Sequence, residues 1–241
     1  MSRITTAMLL AAGLGTRMKP LTDTRPKPLI EVAGRTLVDR VLDKLVVQGV
    51  TRAVVNVHYL PDMMAAHVLK RDDIEVIISD ERDLVLETGG GVIKALPLLG
   101  DEPFFVINTD VPWATAGDST FSDMAAAYDP DRMDALLLLA PMEHTLGFRG
   151  PGDFYLADDG QIQRRGDRPT APYVFAGTHI TRADLLRGYE PKPFSANIYW
   201  NEFARVGRLF GAVMTPFWMH VGDPAGRDEA EARLSLMGPG A

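Results

Sequence analysis

Leu9–Leu29 reads LLAAGLGTRMKPLTDTRPKPL, and the first half of the molecule follows from it. An apolar strand, Ala7 to Ala11, runs without a break into Gly13, Gly15, Thr16, Arg17 and Lys19, and then into Pro26-Lys27-Pro28. A buried strand that opens into a glycine-rich, cationic loop brings backbone N–H groups and fixed positive charge onto phosphate. Glycine lets the backbone approach the anion, because no Cβ stands in the way. Arg17 suits bidentate contact with phosphate oxygens, and Lys27 acts as a point charge. The prolines flanking Lys27 restrict its backbone, so engaging a ligand costs less entropy.

Two better-known phosphate loops do not fit. Neither Gly13 nor Gly15 is followed by the Gly-Lys-Ser/Thr of a P-loop. The dinucleotide fingerprint Gly-x-Gly-x-x-Gly fails at its third glycine, where Met18 stands. The net charge of −7 over 241 residues argues against a general nucleic-acid binder, so the cationic loop is a local feature of an acidic protein. The absence of cysteine excludes disulfides, thiolate zinc sites and a cysteine nucleophile. The apolar runs near Met8–Ala12 and Ala135–Met142 are far too short to span a membrane, and the cytoplasm is the expected location. Nothing in the sequence specifies an oligomeric state.

Outward from the loop, Thr36 to Gly49 has helical spacing, with Leu37, Val38, Val41, Leu42, Leu45 and Val46 on one face. A β-branched strand follows at Ala53–Val57, a helix from Pro61 to Leu69 and a strand at Glu75–Ser79. Alternation of this kind predicts parallel βαβ units in an open α/β sheet, with ligands beyond the carboxyl ends of the strands. Leu86-Glu87-Thr88-Gly89-Gly90-Gly91 precedes a helical pattern. It reads either as a flat backbone surface for a nucleobase or as a flexible helix entry capped by Thr88. PFFVIN (103–108) is a doubly buried strand ending in Thr109-Asp110. A carboxylate there either holds a hard cation against phosphate or closes a turn.

A helix is expected at Phe121–Tyr128 and a strand at Ala135–Ala140. A hairpin turns on Asp158-Asp159-Gly160, and strands follow at Tyr173–Ile180 and Phe210–Met214. A helix is expected at Ser195–Val206, and disorder at Gly238–Ala241. Asp223-Pro224 forms a helix N-cap and first-turn pair. His58, His67, His144 and His179 have no ligand spacing and read as structural or exposed.

Gly13-Leu14-Gly15-Thr16-Arg17-Met18 with Pro26-Lys27-Pro28 resembles the signature of the sugar-phosphate nucleotidyltransferases. The glycine triplet resembles that family's base-recognition segment, most like the form in its uridylyltransferases acting on N-acetylmuramate 1-phosphate. The resemblance implies a Rossmann-like three-layer fold, with a mixed, mostly parallel sheet and helices on both faces. It implies one nucleotidyltransferase domain over 1–241, with a sugar-binding subregion within about 141–215. The implied partners are a nucleoside triphosphate, best UTP, and a sugar 1-phosphate, best N-acetylmuramate 1-phosphate as in peptidoglycan recycling. Mannose or glucose 1-phosphate is the alternative within the family, and a non-catalytic nucleotide-sugar binding module is the alternative in kind.

By the same resemblance Arg17, Lys27 and Asp110 are catalytic. Leu10, Ala11, Ala12, Gly13, Gly15, Thr16, Arg17, Glu87, Thr88, Gly89 and Asn108 form the nucleotide bed. Asp153, Gly177 and Lys192 face the sugar, though Asp153 also reads as a turn residue and Lys192 as a solvated lysine. Asp110 is the implied Mg2+ ligand. Trp218-Met219-His220-Val221-Gly222-Asp223-Pro224 resembles the family's closing motif, but His220 replaces its metal-binding aspartate. Imidazole suits manganese or zinc better than magnesium. His220 therefore ligates a softer metal, contacts phosphate while Asp110 holds magnesium, or marks an impaired site.

Overall fold

The computed structural model describes residues 3–114 and 119–236, so the end expected to be disordered, 238–241, lies outside the described residues. Strand β1 (Thr6–Leu10) pairs in parallel with β2 (Arg52–Val57), and β2 with β3 (Glu75–Asp80). On its other side β1 pairs in parallel with β4 (Phe104–Asn108). The rest of the sheet comprises β5 (Ala135–Pro141), β6 (Phe154–Leu156), β7 (Ile162–Arg164), β8 (Tyr173–Thr181) and β9 (Leu209–Val213). Among the described residues this main sheet has nine strands, ordered β7-β6-β8-β4-β1-β2-β3, with β5 pairing β8 and β9. The fold is the mixed α/β arrangement expected, parallel through its centre and antiparallel around β8.

Continuous apolar runs make sense here because each strand is covered on both faces. Alternate residues feed two separate cores. Ala7, Leu9, Val55, Phe105 and Ile107 join one, and Met8, Val54, Phe104 and Val106 join the other. Helices α1 (Leu37–Val47), α2 (Pro61–Val68) and α4 (Thr120–Ala127) cover the first face. Helices α3 (Glu87–Leu99) and α5 (Asn197–Arg205) cover the second. Thr36 caps α1 by accepting the Asp39 N–H at 3.2 Å, a contact worth about 1 kcal/mol.

A third, smaller core ties Met18 in the glycine loop to Val32, Leu37 and the C-terminal segment. That segment is strand β10 (Phe217–Met219) and helix α6 (Pro224–Ser235). Asp223 caps α6 through the Gly226 N–H at 2.8 Å, as the Asp-Pro pair predicted.

The sheet changes partner at one place. Strand β8 pairs with β4 from Thr178 to Thr181, but at Tyr173 its neighbour is Phe154 of β6. The register against β5 shifts between Phe175 and His179. Gly177 sits in that break with φ +83, which L side chains rarely adopt. No described helix is long and apolar enough to cross a membrane.

Candidate active site

Strands β1 and β4 are neighbours whose connections leave in opposite directions, and open α/β sheets bind ligands beyond such a switch point. A cavity of about 550 Å3 lies there, lined by Leu10–Met18 and by Lys27, Asn108, Thr109 and Asp110. The loop that forms its rim is braced from beneath. Asn56, at 2% exposure, accepts the Ala11 and Ala12 N–H groups on Oδ1 at 2.6 and 3.2 Å. Its amide donates to Glu81, and the other Glu81 oxygen accepts the Leu86 N–H. Gly15 has φ +63, and a Cβ there would press on Thr22, whose hydroxyl donates to the Gly15 carbonyl at 2.9 Å. Gly13 is exposed with open space around it, so its backbone is free to meet a ligand.

Lys27 and Asp110 meet within the cavity, Nζ to Oδ2 at 2.5 Å, with 13% and 22% of their side chains exposed. Burial pushes the Asp110 carboxyl up. The Lys27 ammonium, by charge and hydrogen bond, and the His220 ring outweigh that and hold it below the ordinary value. His220 Nε2 stands 4.0 Å from the same oxygen. Burial lowers the His220 pKa; Asp110 opposes this, and Lys27 and Arg17 reinforce it. The ring lies parallel to Trp218, centroids 5.8 Å apart. Two turns of chain hold the pair in place: the Val221 N–H donates to the Asp110 carbonyl, and the His220 N–H to that of Leu146. Arg17 is exposed on the rim.

A divalent cation fits this donor set. The Asp110 carboxylate and the His220 ring, with Nε2 4.0 Å from Oδ2, would supply it with oxygen and nitrogen donors once Lys27 leaves that oxygen. Among the described residues no group of three or more acidic or histidine side chains is placed to hold a metal ion. An ion here would therefore take its other ligands from water and phosphate, as magnesium commonly does.

The glycine triplet corrects an expectation. Gly89, Gly90 and Gly91 lie inside α3, which begins at Glu87, and they form no flat open surface. The Gly89 and Gly90 N–H groups donate to the Phe194 carbonyl at 2.8 and 3.2 Å, so neither is free for a base. A Cβ would collide with the Phe194 ring at Gly89 and the Lys192 carbonyl at Gly90. At Gly91 it would meet Asn56 and Glu81. The triplet is a packing device. Gly89 therefore lines no part of the cavity, whereas Glu87, with φ +60, and Thr88 do. Thr88 does not cap α3; its hydroxyl accepts the Ala196 N–H at 2.9 Å.

Two sugar-side expectations also change. A Cβ on Gly177 would meet Val111 and Asn108, so packing and φ by themselves already require glycine there. Lys192 is exposed, with Nζ 3.5 Å from Glu190, and it lines neither cavity described here.

A second cavity of about 280 Å3 adjoins the first; Leu10, Thr88, Asn108 and Ser195 line both. Its own walls include Asp153, Arg164, Phe175, Asn197 and Trp200. Asp153 Oδ2 accepts the Phe175 N–H at 2.9 Å, which fixes the carboxylate at the mouth of β8. The expected helix start at Ser195 falls at Asn197, which leaves Ser195 and Ala196 on the wall.

The model of the MobA-like NTP transferase domain matches residues 7–170. The chain belongs to this family. It is therefore a nucleotidyltransferase, and the non-catalytic alternative loses its ground. N-acetylmuramate alpha-1-phosphate uridylyltransferase of Caulobacter vibrioides is 46% identical over 233 residues, which cover 95% of this chain and 96% of that one. The protein of that name in Neisseria meningitidis is 35% identical, covering 94% and 96%. The catalytic subunit beta of Dictyostelium discoideum mannose-1-phosphate guanylyltransferase is 29% identical. That match covers 90% of this chain but 61% of the relative. HddC from Yersinia pseudotuberculosis superposes with TM-score 0.76 at 21% identity, covering 96% and 100%. The UTP-bound UGPase of Acinetobacter baumannii gives 0.78 at 18%, covering 98% and 95%. Both show the fold.

Three positions that brace or line these cavities escape motif reading. Asn56 carried a signal, as the one amide, next to last, in a strand that is otherwise apolar after Arg52. Arg164 carried a fainter one, being two residues from buried Ile162 and so on the same strand face. Trp200 reads as ordinary helical core.

Proposed function

We propose that this enzyme transfers the uridylyl group of UTP to N-acetylmuramate 1-phosphate, releasing pyrophosphate and UDP-N-acetylmuramate. The observation that carries the proposal is the junction of the two cavities at the carboxyl ends of β1 and β4. One has the dimensions and charge for a triphosphate, and the other has room and polar groups for a sugar. The choice of substrates is supported by the two uridylyltransferases that align over nearly their whole length. The mannose guanylyltransferase extends well beyond the match.

In this reading an oxygen of the sugar phosphate attacks the α-phosphorus of UTP, and the bond from that phosphorus to the β-bridging oxygen breaks. The attacking phosphate is ionised at neutral pH, so no general base is required. Lys27 moves from Asp110 onto the α-phosphate and the incoming phosphate and offsets their repulsion. Arg17 receives the charge of the departing pyrophosphate. The Ala11–Gly15 backbone, fixed by Asn56, positions the triphosphate. Asp110 and His220 would hold a divalent cation, magnesium or a softer ion, which when bound neutralises phosphate charge. Residues 141–215 serve as the sugar-binding part of one catalytic domain, and the cytoplasm, where UTP is made, is its place.

Pyrophosphate release from a panel of triphosphates and sugar 1-phosphates, each with Mg2+, Mn2+ or Zn2+, tests this. The expected best pair is UTP with N-acetylmuramate 1-phosphate. Faster release with GTP and mannose 1-phosphate would contradict it.

A further inference from the structure

Several arginines anchored near the sheet have an acid of their own: Arg208 pairs with Asp134, Arg71 with Asp43 and Asp73, and Arg52 with Glu75. Arg164 does not. It projects from β7 opposite Phe154, its guanidinium 5.3 Å from that ring's centroid. Nε donates to Asn201 Oδ1 at 2.6 Å and Nη2 to Asn197 Oδ1 at 2.8 Å, two neutral acceptors one turn apart on α5. Among the described residues no carboxylate lies within ion-pair distance of it, and Nη1 has no hydrogen-bond partner. Asp153, the acid on the same cavity, has one oxygen fixed by the Phe175 N–H and forms no ion pair with Arg164.

A guanidinium taken half out of water and clamped by neutral groups keeps its charge with no direct ion pair, helped only at a distance by the Asp153 carboxylate. Such a group is costly unless an anion arrives from outside. The fork is pre-oriented, so little entropy is lost when a carboxylate docks on it. Arg164 lines only the second cavity, away from the wall shared with the phosphate site. The anion it awaits is therefore a substituent on the sugar and not the reacting phosphate.

We propose that Arg164 binds the carboxylate of the lactyl ether that distinguishes N-acetylmuramate from N-acetylglucosamine, and so sets the preference for an acidic sugar 1-phosphate. Asn197 and Asn201 are positioning residues for it. Phe175 and Trp200, packed edge to face at 4.7 Å between centroids, supply apolar wall for the methyl groups. This rests on the substrate reading above and adds the residue that enforces it.

The test measures kcat/KM at saturating UTP for N-acetylmuramate 1-phosphate and N-acetylglucosamine 1-phosphate, in the wild type, Arg164→Gln and Arg164→Lys. Loss of a charge-assisted pair predicts a fall of about ten- to hundredfold on the acidic substrate in Arg164→Gln, mostly in KM. Turnover of the neutral sugar phosphate falls much less than that of the acidic one, and an unchanged circular dichroism spectrum and melting temperature report an intact fold. Arg164→Lys recovers part of the loss. Equal losses on both substrates would make Arg164 a structural residue and overturn the proposal. Wild-type kcat/KM on both substrates in Arg164→Gln would sink the Arg164 assignment alone. A wild type that uses the neutral sugar as well as the acidic one would remove the substrate reading and this inference together.

Discussion

Two histidines show how burial and charge act on the same side chain to different ends. His179 is 1% exposed, with Nε2 3.2 Å from the Tyr199 hydroxyl and Nδ1 unpartnered, and desolvation drives its pKa from 6.5 to about 3. Its folded value lies below the unfolded one, so the stability it contributes is complete above pH 6.5 and lost as pH falls toward 3. Between those limits the unfolded state holds one more proton, a slope of about 1.4 kcal/mol per pH unit. Urea unfolding from pH 7 to pH 4 should show this slope reduced by that amount in His179→Gln; parallel curves would refute it. His220 instead sits beside Asp110, with Nε2 4.0 Å from its Oδ2. His220→Asp should tighten Mg2+ relative to Mn2+ or Zn2+, read by calorimetric titration of each ion, because carboxylate is the harder donor. An unchanged order of affinities would place His220 outside the cation's reach.

At the scale of elements, the strands and helices of the first half are legible because their periodicity is clean and each has a start or stop signal. Thr36 before α1 and Pro61 opening α2 are examples. The glycine triplet is the instructive failure. Three bare residues read locally as an open surface, yet three different partners fill the space. Phe194 and the Lys192 carbonyl lie more than 100 positions beyond the triplet, while Glu81 and Asn56 lie 10 and 35 positions before Gly91, and no local rule reveals them. Gly90→Ala tests that account. The added methyl has no space beside the Lys192 carbonyl, and overpacking of this kind costs about 1–3 kcal/mol. A lowered melting temperature is expected, with a higher KM for UTP as α3 shifts Thr88. A melting temperature equal to wild type would restore the open-surface reading.

Over the whole molecule, the site is assembled from chain ends that sequence order keeps apart. Met18, which breaks the dinucleotide fingerprint, is fully buried and packs in one small core with Met219, Val221 and Leu234. The residue that excluded one fold is the one that locks this loop to the C-terminal segment carrying His220. The phosphate loop, Lys27 and Asp110 were readable as motifs because backbone approach and charge demand particular residue types there. Arg164 and the wall of the second cavity were not, since their placement depends on the antiparallel turn around β8 and on α5 packing across it, while the part Asn56 plays shows only once the Ala11–Ala12 backbone is seated on it. Asp110 is where these parts converge. Single-turnover transfer from UTP labelled at the α-phosphate, with Asp110→Asn set beside wild type and folding checked by circular dichroism, examines that convergence most directly. Loss of about a hundredfold or more in the rate of transfer, with native spectra, is predicted; transfer at the wild-type rate would contradict the account.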